Sequence, residues 1–370
     1  MSEFQYSLSS LYINPTRYCN LKCCHCWLSP PYKDTYSGKE DELSANELIK
    51  VVRAAIGLGL SLVKLTGGEP LLRDDLDPLL EFCQEAKIEV IIETNGTLVD
   101  EQRARKLKRL GVSFISVSLD GGNKSINDNF RGIEGAFDLA IKGIRSLIIA
   151  GFTPQIITCL HRENLEHFDE FIELLNKLGV KDLKINTIND IGRAQKPDLK
   201  NNSLSIREIL SFHKRLAAFK EKFPHRISLD IPPAFKQLEE LKDGAKCGIF
   251  GILGILPKGE VSICGIGLHL SDLIFGSLRG LSQAQANEKL RDIWVNNEKL
   301  NEIRRDVPNN FSGVCGKCAM KKLCLGKCRA DTYYHQGNFS SSYWFCQAAY
   351  DQGLFPQTRL MPEGYVAVKQ

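Results

Sequence analysis

The stretch NPTRYCNLKCCHCWLSP, residues 14–30, carries three closely spaced cysteines directly after the first predicted strand. They are Cys19, Cys23 and Cys26, separated by three and then two residues. Spacings this tight indicate a metal centre rather than a disulfide. Three thiolates can ligate three irons of a four-iron cluster and leave the last iron open, and an open position makes a metal site catalytic rather than structural. A structural zinc loop is the alternative.

Bulk composition describes an ordinary globular chain. Its 370 residues are 43% hydrophobic and 25% charged, with a net charge of +4, and leave room for one large domain and a smaller one. No polybasic signature predicts nucleic-acid binding. The N-terminus lacks the pattern of a signal peptide, and the longest apolar run, GIFGILGIL at 248–256, is too short to span a bilayer. We therefore expect a cytoplasmic protein with no membrane contact.

Residues 11–187 alternate short apolar strands with amphipathic helices. Strands are predicted at residues 11–14, 62–66, 89–93, 114–118, 155–158 and 183–186, with helices near 45–58, 76–86, 101–110, 135–150 and 165–178. Strict alternation predicts an α/β fold, a partial (β/α)6 TIM-like barrel of parallel strands. The loops after barrel strands carry the chemistry. The cysteine loop, TGGEP, ETNGT and SVSLDGG follow the first four strands in turn.

The remainder of the chain changes character. We predict a partial barrel over 1–187, a helical bridge over 188–243, a small cysteine-rich α+β domain over 244–350 and a C-terminal tail over 351–370. The cysteine-rich part holds seven more candidate ligands, with Gly259 five residues before the second of them: Cys247, Cys264, Cys315, Cys318, Cys324, Cys328 and Cys346. Ten cysteines in such spacings indicate more than one iron–sulfur cluster.

The first motif, together with GGEP, TNGT, SLDG and FRGIEGAF, resembles the radical S-adenosylmethionine (SAM) superfamily over roughly residues 11–193. The resemblance implies a [4Fe-4S] cluster whose open iron binds SAM. It also implies reductive cleavage of SAM to a 5′-deoxyadenosyl radical, which abstracts hydrogen from a substrate. We expect a flavodoxin- or ferredoxin-type reductant.

The same resemblance implies a set of SAM contacts. The SAM amino group would be received by Gly67, Gly68 and Glu69. The ribose would be contacted by Ser118, with Asn95 and Asp120 nearby. The SAM carboxylate would pair with Arg131, and His25 takes the place of the family's aromatic residue against the adenine. No general base is assigned from the sequence.

The seven later cysteines resemble the SPASM extension of that superfamily, which holds two auxiliary [4Fe-4S] clusters. The resemblance implies Cys247, Cys264 and Cys328 as ligands of the first auxiliary cluster, and Cys315, Cys318, Cys324 and Cys346 as ligands of the second. No cysteine lies between Cys247 and Cys264 to supply a fourth ligand to the first. Our hypothesis is that this cluster has an open iron. A zinc ribbon of Cys315, Cys318, Cys324 and Cys328 is the alternative, but it leaves the others unexplained.

Proteins with this architecture mostly modify peptides, so we favour a peptide maturase that forms a thioether or carbon–carbon crosslink or performs a related oxidation. Only 18 residues precede Cys19, so we expect a separate leader-recognition protein or leader-free binding. Three alternatives remain open. They are a tetrapyrrole enzyme that acts on haem or haem d1 side chains, a formylglycine-forming sulfatase activator, and a non-catalytic iron–sulfur electron carrier.

Overall fold

The computed structural model describes residues 6–36, 41–241 and 248–362. Strands in these ranges form a single sheet in the order β10-β9-β8-β1-β2-β3-β4-β5-β6-β7. They are β1 Ser10–Ile13, β2 Leu62–Leu65, β3 Glu89–Thr94, β4 Val112–Ser118, β5 Gln155–Leu160, β6 Asp182–Thr187, β7 Arg226–Leu229, β8 Ile252–Ile255, β9 Glu260–Ser262 and β10 Ile274–Ser277.

Helices connect the strands and continue into the C-terminal region. They are α1 Ala45–Ile56, α2 Asp77–Glu85, α3 Glu101–Arg109, α4 Lys124–Arg131, α5 Ala136–Ile149, α6 Arg162–Glu166, α7 Phe168–Leu178, α8 Pro197–Asn202, α9 Ile206–Lys222, α10 Gln283–Asn296, α11 Glu298–Asp306, α12 Gly313–Lys317, α13 Lys321–Cys324, α14 Arg329–Gln336 and α15 Trp344–Asp351. Capping boxes begin α1, α9 and α10, where a serine side chain and a Glu or Gln three residues later satisfy free backbone N–H groups.

The α/β fold class is confirmed, because β1 to β7 run parallel in chain order and are joined by helical crossovers. All six predicted strands are present. β7 adds a seventh parallel strand inside the segment predicted as a bridge, and β8 pairs parallel with β1. The cysteine-rich region therefore continues the barrel sheet through β8, β9 and β10. The domain boundaries themselves stay predictions.

The strands bury one face against the helices and turn a more polar face inward. In β1 and β2, Leu11, Ile13 and Val63 are fully buried, whereas the alternate residues Tyr12 and Lys64 are half-buried. Barrel interiors are usually filled by branched apolar side chains. Here the inner face borders a cavity of about 250 Å³, which we call the barrel cavity and which reaches from the amino ends of the strands to their middle.

The C-terminal region packs onto the barrel and onto itself. Helix α10 lies against α1, and α12 lies against α15. The start of the predicted tail is attached, since Met361 donates its N–H to the Lys317 carbonyl at 2.8 Å and Leu360 forms a β-bridge with Cys318. Among the described residues, no helix combines the length and the apolar character needed to cross a bilayer.

Candidate cluster and cofactor site

The loop after β1 holds the first three cysteines and is fixed by backbone hydrogen bonds to α4 and to the segment after β6. Cys24 donates its N–H to the Phe130 carbonyl at 3.0 Å, and Lys22 donates to the Arg131 carbonyl at 3.1 Å. On the other side, Arg193 donates to the Cys26 carbonyl at 3.1 Å. A loop held on both sides can present its thiols in a fixed arrangement.

The three thiols are close enough to influence one another. Burial raises the pKa of the Cys19 thiol most, and Glu69, Cys23 and Cys26 raise it further. The twelve cysteines within the described residues are all free thiols. Buried thiols that disfavour ionisation together need a cation to become thiolates, which is what an iron–sulfur cluster provides. The donor set therefore fits the cluster that the sequence predicts.

Gly67 and Gly68 let the turn after β2 pack directly against the segment that leads to Cys19. Gly67 has a φ of +106°, which favours glycine. A Cβ on Gly68 would lie 2.0 Å from the Tyr18 carbonyl oxygen. Glu69 then donates its N–H to that same carbonyl at 2.8 Å. Both glycines are thus required by contacts within the protein, before any ligand is considered.

Glu69 is a buried carboxylate with most of its acceptor capacity used. It accepts hydrogen bonds from the Leu71 N–H at 3.0 Å, the Thr94 hydroxyl at 2.7 Å and the Asn95 N–H at 2.8 Å. A carboxylate offers about four acceptor positions, so about one remains. Burial raises the pKa of Glu69 in spite of these donors. A cationic ammonium at the remaining position would offset the cost of burying this charge.

Asn95 connects this turn to the cysteine loop. Its side-chain amide donates to the Asn20 side-chain oxygen at 2.8 Å and lies 3.9 Å from the Cys19 sulfur. Asn20 in turn donates to the Thr97 hydroxyl at 2.8 Å. Asn95 is among the site residues predicted from the sequence, whereas Asn20 and Thr94 are not. Both missed residues lie next to a predicted site residue in the chain, which was the available signal.

Asp120 and Arg131 contact each other beneath the cysteine loop. The guanidinium Nη2 lies 2.6 Å from the Asp120 carboxylate, and Nη1 donates to the Cys23 sulfur at 3.7 Å. Burial alone would raise the pKa of Asp120, but the Arg131 guanidinium and the hydrogen bond from the Cys159 N–H help to outweigh it, and that pKa is lowered. Among the described residues, Arg131 Nε has no hydrogen-bond partner. Nε–H is therefore one donor that this guanidinium can offer to a ligand.

His25 belongs to a stack of three rings. The centre of its ring lies 4.2 Å from that of Phe130, and the centre of the Phe130 ring lies 3.9 Å from that of His161; in each pair the ring planes are nearly parallel, at 7°. Burial lowers the pKa of His25 to about 3, so its imidazole is neutral near pH 7. Nε2 of His25 is 3.7 Å from the Asp120 carboxylate. Phe130 and His161 are not among the site residues predicted from the sequence, although His161 directly follows β5.

Ser118 is the last residue of β4, two positions before Asp120, and is half-buried. The predicted SAM contacts therefore come from the carboxyl ends of β1 to β4 and from α4. Apart from His25, which is farther along the loop after β1, and Arg131, each lies within a few residues of the end of its strand, so these residues gather at the same edge of the sheet.

Four of the later cysteines form a second group. Cys315 and Cys346 share a hydrogen bond that lowers the pKa of Cys315 to about 6 and raises the pKa of Cys346. Cys318 and Cys324 are close enough to this pair to raise the pKa of Cys346 further. The structure thus brings together the four residues predicted for the second auxiliary cluster.

The remaining candidate ligands are placed only in part. Cys264 follows the β8–β9 hairpin, whose turn contains Gly259 at a φ of +93°. Cys328 caps α14, where its sulfur accepts the Asp331 N–H at 3.4 Å. Cys247 lies outside the described residues. The predicted first auxiliary ligand set, and its open iron, therefore stay predictions.

Arg329 is a fully buried cation between these groups. Its guanidinium donates to the carbonyls of Phe339 at 2.9 Å, Ser341 at 2.8 Å and Gly326. Burial lowers the pKa of Arg329, while four nearby thiols raise it; they are those of Cys315, Cys324, Cys328 and Cys346. Arg329 thus lies within electrostatic reach of both predicted auxiliary sets.

Comparisons with known proteins agree on the family to which this chain is similar. A model of the Radical SAM superfamily matches residues 13–175. The AdoMet-dependent heme synthase of Methanosarcina barkeri is 30% identical over 342 residues, covering 89% of this chain and 93% of the relative. The Fe-coproporphyrin III synthase of the same organism is 34% identical over 348 residues, covering 87% and 84%. The mycofactocin maturase MftC of Mycolicibacterium smegmatis is 28% identical over 328 residues, covering 85% and 76%.

Solved structures agree on the fold. Streptococcus suis SuiB bound to its precursor peptide SuiA aligns with a TM-score of 0.71 at 18% identity, covering 93% of this chain and 76% of SuiB. The two Methanosarcina relatives cover 87–89% of this chain, and Cys19, Cys23, Cys26 and the GGEP turn fall within the residues that the family model matches. The chain therefore belongs to the radical SAM superfamily, whose members use a [4Fe-4S] cluster and SAM.

Proposed function

We propose that this radical SAM enzyme is an oxidoreductase that modifies the carboxylate-bearing side chains of a tetrapyrrole. The observation that carries the proposal is the charge of the barrel cavity. Four lysine and arginine side chains line it against two carboxylates, an excess of two positive charges; they are Lys64, Lys184, Arg226 and Lys236 against Glu93 and Asp230. A cavity with this balance favours an anionic substrate.

The relatives support the same choice. The two Methanosarcina barkeri relatives named for haem and iron coproporphyrin synthesis are 30% and 34% identical over 87–89% of the chain, whereas two further AdoMet-dependent heme synthases, at 28% and 27%, are level with the 28% of the peptide maturase MftC. Iron coproporphyrin carries several carboxylates on an apolar ring. The cavity offers matching apolar surface through Tyr12, Phe114 and Leu229.

For the SAM site, we propose that Cys19, Cys23 and Cys26 hold the cluster and that its open iron and SAM together supply the radical that removes a substrate hydrogen. Glu69 offers its remaining acceptor position to the SAM ammonium. Arg131 offers Nε–H to the SAM carboxylate. Asn95, Ser118, Asp120 and the neutral His25 ring border the nucleoside, and Gly67 and Gly68 keep the turn close to the cysteine loop.

For the C-terminal region, we propose a SPASM-type arrangement with two auxiliary [4Fe-4S] clusters. The grouping of Cys315, Cys318, Cys324 and Cys346 supports the second of them. An external reductant of the flavodoxin or ferredoxin type would supply electrons.

Peptide modification, the function that the sequence analysis favours, is the second candidate. It is supported by the similarity to MftC over 85% of the chain. The fold shared with SuiB adds nothing on substrate, because the identity there is only 18%. A peptide rich in carboxylates would also suit the cationic cavity, so the two candidates need a direct test.

The test uses the full-length protein, reconstituted anaerobically with iron and sulfide and supplied with SAM and dithionite. Iron coproporphyrin III is expected to bind, to raise the rate of 5′-deoxyadenosine formation and to yield a tetrapyrrole of altered mass. A Cys19→Ala variant is expected to form no 5′-deoxyadenosine. Lack of both binding and stimulation by the porphyrin would overturn the tetrapyrrole proposal, and a mass change in a peptide encoded beside the gene would establish the peptide function instead.

A further inference from the structure

We propose that Lys184 is a specificity-determining residue that binds a carboxylate of the substrate inside the barrel cavity. This inference rests on the proposed function for the identity of the substrate, but the anion site itself is argued from the chain. Lys184 lies in β6 on the inner face of the sheet and lines the cavity. It is half-buried, so its ammonium is partly removed from water.

The carboxylates near Lys184 already have closer cationic partners. Glu93 forms an ion pair with Lys64 at 2.5 Å, and the Asp230 carboxylate is in direct contact with Lys327. Lys184 influences both carboxylates, lowering the pKa of each, yet it is the smaller influence in both cases. Within the described part of the chain, no carboxylate oxygen lies within ion-pairing distance of its Nζ. A half-buried ammonium in this position gains most from an added anion.

Neighbouring groups favour a carboxylate over a larger anion. Ser228 is the cross-strand neighbour of Lys184 in the β6–β7 register and also lines the cavity, so it can add a hydroxyl donor. The cavity of about 250 Å³ is smaller than the space a whole drug-sized ligand usually occupies, ~300–1,000 Å³. It therefore fits one acidic side chain and part of its ring, with the rest of the substrate extending toward the carboxyl ends of the strands.

Two other cations that line the cavity, Lys64 and Arg226, already have partners within the protein. Lys64 is engaged by Glu93 and lies 4.9 Å from the Tyr12 ring centre, and Arg226 is 3.1 Å from Asp182. The ion pairs of these two cations stabilise the inner face of the sheet around the cavity. Lys184 combines an inner-face position with partial burial, and the two carboxylates that it influences are each paired with another lysine.

The experiment titrates iron coproporphyrin III, and separately its methyl ester, into the anaerobically reconstituted full-length protein and follows the porphyrin absorbance. Lys184→Met is compared with Lys181→Met, which removes an exposed lysine just before the same strand. A charge-assisted contact implies that Lys184→Met weakens binding of the free acid at least about tenfold. We expect Lys184→Met to have little effect on binding of the ester, and Lys181→Met to have little effect on binding of either ligand.

The outcomes separate the two proposals. Equal binding of the free acid by Lys184→Met and the parent protein would overturn the role of Lys184 and leave the tetrapyrrole function standing. If the porphyrin fails to bind the parent protein, the tetrapyrrole function is overturned. The anion site is then tested separately, with citrate as the anion. A rise in melting temperature with millimolar citrate that Lys184→Met loses would support the site; equal shifts in both proteins, or none in either, would overturn it.

Discussion

The Glu69 carboxylate accepts a hydrogen bond from the Asn95 backbone N–H at 2.8 Å, so the turn after β2 is joined directly to the end of β3. Asn95 then reaches Asn20 in the cysteine loop through its side chain. A single buried carboxylate thus ties together the elements proposed to hold the cluster and SAM. The consequences can be tested by changing the charge, the glycine contact and the ion pair in turn.

Replacement of Glu69 by Gln is expected to weaken SAM binding about tenfold or more, because it removes a charge-assisted contact and turns an amide NH₂ toward existing donors. The measurement is the dissociation constant of SAM by equilibrium dialysis of the reconstituted protein. Glu89→Gln makes the same chemical change at the exposed opposite end of β3 and should leave binding unchanged. Parent-like SAM affinity in a fully iron-loaded Glu69→Gln protein would exclude the proposed ammonium contact.

Replacement of Gly68 by Ala is expected to displace the cysteine loop, because its Cβ would lie 2.0 Å from the Tyr18 carbonyl oxygen. Overpacking of this kind costs about 1–3 kcal/mol. We expect a lower melting temperature and less iron per chain after reconstitution. Gly57→Ala is the matched control, since its Cβ would lie 3.8 Å from the nearest atom at an ordinary φ of −62°. Equal iron content in the two variants would show that the turn does not position the loop.

The sequence predicted the barrel well where burial alone decides the structure. Val63 and Ile92 lie in apolar runs and are buried on the face of the sheet that packs against the helices. The strands that contain them were therefore located within one or two residues. Helix α4 was missed because its sequence, KSINDNFR, is mostly polar; its buried side is defined by packing against α5 and by contacts with the cysteine loop.

The site was predicted as a set of residues but not as a set of contacts. Motif positions placed Asp120 and Arg131 near SAM, yet their mutual ion pair depends on how α4 folds back beneath the cysteine loop. The stack of three rings likewise brings His25 against Phe130, which lies more than a hundred residues later in the chain. Long-range geometry of this kind leaves no periodic signal in the sequence.

The Asp120–Arg131 pair should show strong non-additivity. Asp120→Asn leaves a buried guanidinium without its counter-charge, and Arg131→Met leaves a buried carboxylate, so each is expected to cost about 3–5 kcal/mol of unfolding free energy. The double variant should cost clearly less than the two single changes combined. Urea unfolding under anaerobic conditions gives the values. Asp138→Asn breaks the exposed Lys124–Asp138 pair and should cost less than about 1 kcal/mol. Additive effects at the buried pair would contradict its role.

The same pair predicts a pH dependence of stability. The pKa of Asp120 is lowered in the folded protein, so the unfolded chain takes up the proton first as pH falls. The contribution of Asp120 to the free energy of unfolding is fully present above the ordinary aspartate pKa of about 4. It is lost as pH falls through the lower pKa that Asp120 has in the folded protein. The difference in unfolding free energy between the parent protein and Asp120→Asn should therefore shrink on acidification below about pH 4. A difference that stays constant or grows there would contradict the direction of the shift.

Arg329 is predicted to hold the C-terminal clusters together. Arg329→Met removes the donor of three buried backbone carbonyls and the cation that faces four thiols. With three four-iron clusters the parent should bind about twelve irons per chain, and the variant should fall toward about four. SAM binding should survive, because the first cluster is held by a different loop. Arg305→Met, which removes a largely exposed arginine paired with Asp306 at 3.2 Å, should keep its iron. Full iron loading of Arg329→Met would show that these thiols do not depend on the buried guanidinium.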